Sequence, residues 1–151
     1  MINFYKLAAF SADFPDDWVM EGDEVVEFPG RAVATAIAAL LRAKGYAVSD
    51  PEHQGENGWD FAVDHGKASI WVLVTSFEAG RFILQHGSRA RSLMQHREPY
   101  AEVMQALNDA LNGDGRFGDV LWCDVFGAAE GFANPRVETP GNEKRPFPEA
   151  W

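Results

Sequence analysis

Between residues 59 and 64, apolar and polar positions alternate: Trp59, Phe61 and Val63 on one side, Asp60, Ala62 and Asp64 on the other. A repeat of two is that of a β-strand with one face buried and one in water. Gly66 offers a tight turn, and "ASIWVLVTSF" (68–77) then runs almost wholly apolar, the pattern of a central strand. A second turn at "EAG" leads into "RFILQH" (81–86). Connections this short predict antiparallel pairing of the three strands.

The repeat becomes helical in two places. Over "RAVATAIAALLRAK" (31–44), Val33, Ile37, Leu40 and Leu41 form one apolar stripe in an alanine-rich segment that Pro29-Gly30 precede and Gly45 stops. Over "PYAEVMQALNDALN" (99–112), Tyr100, Val103, Met104, Leu107 and Leu111 form a second stripe behind Pro99, which suits a first helical turn. "INFYKLAAF" near the start, "WVMEGDEVVEF" around Gly22, "YAVSD" after the first helix and "RFGDVLWCDVF" after the second read as further strands, while "PEHQGENG" reads as a loop. Two one-sided helices and a run of antiparallel strands predict an α+β fold. Its form is a two-layer sandwich, an antiparallel sheet of about five to six strands with both helices on one face. Trp71, Trp122 and Phe82 are expected in the core or on a sheet face.

Residues 1–126 are expected to form this single domain. From Gly127 the chain carries four prolines in 25 residues and no periodicity. Residues 127–151 are therefore expected to be an extended tail packed on or near the domain, with Phe132, Phe147 and Trp151 as its anchors. The length of 151 residues suits one core. No apolar run approaches the roughly 18 residues of a membrane helix, and the N-terminal stretch lacks the pattern of a secretion signal. A cytoplasmic protein without a membrane partner is the expectation.

Charge sharpens the picture. Thirteen basic against 23 acidic residues leave a net −10, which opposes nucleic-acid binding in general. The distribution is uneven: residues 13–27 hold seven acids and no basic residue, whereas 81–97 hold Arg81, Arg89, Arg91 and Arg97 with two histidines and no acid. The acidic stretch interleaves carboxylates with Phe14, Trp18, Val25, Val26 and Phe28, a composition suited to docking a basic protein surface. Asp16, Asp17, Trp18, Asp23 and Glu24 are the candidate partner-binding residues; the bland alternative puts the aromatics in the core and the acids in solvent. Arg89, Arg91 and Arg97 are the candidate anion-binding residues, because guanidinium groups fork onto carboxylates and phosphates and a helix start lies close by. Their bland reading is a polar loop that meets the acidic stretch or water.

The stretch "EHQGENGWDFAVDHG" (52–66) raises acid–base or metal chemistry through Glu52, His53, Glu56, Asp60, Asp64 and His65. Zinc sites favour cysteines and histidines at fixed spacings. Here one histidine falls in a glycine-rich loop and the other at a strand end, which favours a polar turn and a solvated strand face. The single cysteine, Cys123, sits in an apolar run beside acids, a setting for a small buried thiol rather than a nucleophile. No serine stands in a nucleophile-elbow context, and neither a phosphate loop nor a dinucleotide fingerprint occurs. No catalytic residue, metal ligand or cofactor is assigned. The expected function is a non-catalytic acidic protein-binding module, an adaptor or a neutraliser of a basic partner protein. The alternative is a small enzyme or ligand-binding domain with an anion- or metal-binding pocket near residues 53–65 and 86–97. Self-association through the sheet is left open.

Overall fold

A computed structural model describes residues 3–4, 7–89, 97–123 and 149–150, with side chains for 7–89 and 98–122. In chain order these are β1 (Asn3–Phe4), β2 (Leu7–Ala12), β3 (Val19–Glu21), β4 (Glu24–Glu27), α1 (Arg31–Ala43), β5 (Ala47–Val48) and β6 (Glu52–His53). A 3-10 turn (Gly55–Asn57) then leads to β7 (Trp59–His65), β8 (Ala68–Glu78), β9 (Arg81–Ser88), α2 (Arg97–Gly113), β10 (Phe117–Cys123) and β11 (Glu149–Ala150).

The α+β sandwich predicted from periodicity is the fold observed. The main sheet runs β10-β2-β9-β8-β7-β5, with β6 also pairing to β7, and every described pairing is antiparallel. It has seven strands rather than five to six because β5 and β6, two residues each, both lie along β7. One face of the sheet packs against both helices. Phe10, Trp59, Phe61, Val63, Ile70, Val72, Val74, Phe82, Leu84 and Trp122 meet Val33, Ile37 and Leu41 of α1 and Val103, Met104, Leu107 and Leu111 of α2. The α1 stripe is turned slightly from the expected one: Ala34 and Ala38 are fully buried, whereas Leu40 is only half-buried.

The opposite face divides in two. Toward β10, Leu7, Ala9, Ile83 and Leu121 form a small buried apolar cluster with Phe77 beside it. Toward β7, the face is polar around Asp60, Ala62, Asp64 and Trp71. Two further pairs stand apart from the main sheet. One joins β1 to β11, and the other is the hairpin of β3 and β4. Arg91, the side chains of Arg97 and Cys123, and residues 127–148 with Trp151 lie outside the described residues.

Candidate functional site

The β3–β4 hairpin falls within the acidic stretch. It turns at Gly22 and Asp23, with Gly22 at φ 62°, the sign needed at the first position of a two-residue hairpin turn. An isolated two-stranded hairpin is marginal in water, so its base has to be held. Asp17, just before β3, accepts hydrogen bonds from the Gly30 and Ala32 N–H groups (2.9 and 2.8 Å). It thereby places a carboxylate at the start of α1, where free N–H groups and the helix dipole favour one. At the other leg, the Phe28 N–H donates to His53 Nε2 (3.0 Å) and the Trp59 Nε1–H donates to the Phe28 carbonyl (2.9 Å). One backbone residue is gripped on both of its polar groups by side chains from β6 and β7.

So anchored, the hairpin carries Trp18, Val19, Met20 and Val26 at 40–48% exposure, the exposed large apolar side chains among the described residues. Carboxylates edge this patch: Asp16, Glu21, Asp23 and Glu24 are all exposed, and Glu21 pairs directly across from Glu24. Like charges facing each other across a hairpin are unfavourable. Glu27, by contrast, lies 3.9 Å from Arg31. Of the expected aromatics, Phe14 packs on Phe117 and is half-buried, and Phe28 is half-buried against Trp18 and His53, while Trp18 stands in the open.

The five candidate partner-binding residues therefore separate. Asp16, Trp18, Asp23 and Glu24 share one exposed surface, whereas the Asp17 carboxylate is engaged with the α1 backbone. Sequence reasoning missed Val19 and Met20 as surface residues, because an apolar strand segment reads as core. It also missed the tie between Asp17 and the helix, which spans 13 to 15 positions.

Of the anion-binding candidates, Arg89 borders a concavity of about 350 Å³ on the polar sheet face, whose lining includes Asp50, Glu52, Asp60 and Asp64 beside Trp71. Four carboxylates around one guanidinium give that concavity a negative balance. Asp60 is itself engaged: it accepts from the Trp71 indole (2.9 Å) and from the Gln54 amide (3.1 Å). Asp60 and Asp64 share a face but lie four residues apart along β7, about 13 Å by strand rise, too far for a shared proton. The two histidines also part. His53 pairs opposite Trp59 at one end of β7, whereas His65 at the other end meets Glu102 of α2 (2.5 Å). Among the described residues no group of three His, Cys, Asp or Glu is placed to hold a metal ion, and no helix is long and apolar enough to cross a membrane.

Comparison with known protein families, with curated proteins and with solved structures finds no match. The functional reading of this chain thus rests on its own geometry.

Proposed function

We propose that this protein acts by binding another protein through the β3–β4 hairpin, and that the partner offers a basic surface with an apolar patch. One observation carries the reading. The exposed large apolar side chains of the described chain all fall on the hairpin, inside a rim of carboxylates. Apolar anchors ringed by charge supply contact energy at the centre and steering at the edge. The chain's net −10 extends the attraction beyond the hairpin and sets two copies of this acidic surface against each other, which favours a basic partner over a second copy. An adaptor and a neutraliser of a basic protein both use such a surface. The alternative, an anion- or metal-binding pocket near residues 53–65 and 86–97, has less support, since His53 is bound to the Phe28 backbone and Arg89 sits among carboxylates.

The test is capture from lysate of the source organism with the full chain and with an Asp23→Lys/Glu24→Lys/Met20→Ser variant, at low salt and at about 0.5 M salt, where screening is strong. A protein held by the parent at low salt, released at high salt and lost by the variant supports the hairpin surface. Retention of the same protein by the variant overturns it. Asp17 is left unchanged in this experiment because its loss would disturb α1.

A further inference from the structure

Behind Trp18 the docking surface opens into a cleft of about 260 Å³. Asp16 and Trp18 line it from the first leg of the hairpin, Phe28 from the second, Glu56 from the 3-10 turn, and Phe77 and Glu78 from the end of β8. Local structure sets these positions. An irregularity in the β8–β9 ladder between Ser76 and Glu78 adds one residue on β8 and changes the aim of Phe77. The Thr75 hydroxyl donates to the Asn57 carbonyl (2.6 Å) and ties the 3-10 turn, and with it Glu56, to the same strand. Asp16 and Glu56 are exposed and make no hydrogen bond or ion pair with any described residue.

The chain itself shows which group suits walls of this kind. Arg31 lies over the Trp59 ring (5.4 Å) and near Glu27 (3.9 Å). Arg81 lies over Phe77 (5.0 Å) and pairs with Glu78 (2.5 Å). Arg116 lies over Phe14 (5.1 Å) and pairs with Asp114 (2.7 Å). In all three, a guanidinium lies over an aromatic ring and within 4 Å of a carboxylate, and the second of them uses two of the cleft's own wall residues. Trp18 has a comparable setting, with Asp16 and Glu56 in the same cleft, yet among the described residues no cation stands over it.

We propose that this cleft receives one arginine side chain of the docked partner, its guanidinium against Trp18 and the carboxylates of Asp16 and Glu56. The inference rests on the hairpin being the docking surface and names the group that occupies the cleft beside it. The volume is below that of a typical small-molecule pocket and suits a single side chain. A guanidinium is planar and weakly hydrated, so it can stack on an indole and still fork onto a carboxylate, whereas a lysine ammonium keeps its water. Arginine is also among the residues that most often dominate interface energies.

The test titrates the ¹⁵N-labelled full chain with N-acetyl-L-argininamide and, separately, N-acetyl-L-lysinamide at low salt. It follows the Trp18 indole N–H, identified through Trp18→Phe, and the amides of residues 76–79. The expected result is a saturable shift of these signals with the arginine probe, weaker by about fivefold with lysine. An Asp16→Asn/Glu56→Gln variant should lose the response, and Asp23→Asn/Glu24→Gln at the hairpin tip should keep it. Equal response to both probes, shifts centred on other carboxylates, or no saturable shift overturns the assignment. If capture of the partner depends on the hairpin but the arginine probe gives no saturable shift, docking stands and the arginine falls. If the probe binds but capture ignores the hairpin, the docking surface falls, and with it the partner as the source of the arginine.

Discussion

Asp17 and His53 show how far a polar side chain can act from its place in the sequence. Asp17 satisfies two N–H groups at the start of α1, whose own cap residue, Gly30, has no side chain to do so. Replacing Asp17 by Ala leaves both donors to find water at a partly buried site, and should cost about 2 kcal/mol of stability, read as a lowered urea midpoint with an unchanged slope. Asp17→Asn, which keeps one acceptor oxygen, should recover part of the loss. Little of this was legible in the chain. A carboxylate two residues after a proline reads as a turn acid, and its partner helix begins 14 positions later, so no local pattern links them. From the sequence His53 suggests chemistry, whereas its Nε2 is the acceptor for a backbone N–H 25 residues away. The reason for its position is the hairpin.

At the scale of elements the sequence was far more open, because periodicity is a local property. The helix expected at 31–44 is Arg31–Ala43, that at 99–112 falls within Arg97–Gly113, and the three central strands lie where alternation and apolar runs put them. The short β6 was hidden inside a glycine-rich loop, since two residues carry no period. Gly58, between β6 and β7, decides whether that junction can form. Its φ is 104°, and a Cβ there would sit 2.1 Å from the Val74 carbonyl oxygen, so no other residue fits without displacing β8. Gly58→Ala should therefore destabilise the domain by roughly 3 kcal/mol or more, measured by urea or thermal unfolding. Gly58 also lies between His53 and Trp59, so the damage should reach the hairpin through Phe28, visible as shifted Trp18 and Phe28 signals in a folded population.

The whole molecule is joined across its layers by His86 of β9. Its Nδ1 meets the Tyr100 hydroxyl of α2 (2.6 Å), and its ring lies against Trp122 of β10. Burial among these groups pushes the imidazole down from the ordinary 6.5 to about 4, and the same burial pushes the Tyr100 phenol up. Between those two pH values the unfolded chain binds a proton at this site that the folded chain refuses. The contribution of His86 is thus complete above pH 6.5 and is lost as the pH falls through about 4, at most roughly 3 kcal/mol, reduced by whatever solvent reaches this half-buried residue. Unfolding free energies at pH 7.5, 5.5 and 4.5 should fall more steeply for the parent than for His86→Gln. Equal slopes would show that other groups carry the acid sensitivity. Asp114, held at about 2 by its hydrogen bonds to Arg116, is half-buried and ionised throughout this window.

A hairpin gripped at both feet by Asp17, His53 and Trp59 is a fixed bracket rather than a limb that must be frozen on contact. On the proposed docking, a partner would spend little of its binding energy on ordering the surface it touches. Recognition through the proposed surface would then have two separate points of failure. Changes at the rim should remove contacts and leave the fold alone, whereas changes at the feet, beneath the proposed contact surface, should loosen the bracket and weaken binding at a distance. Substitutions that abolish association should therefore divide into two classes, separable by stability alone.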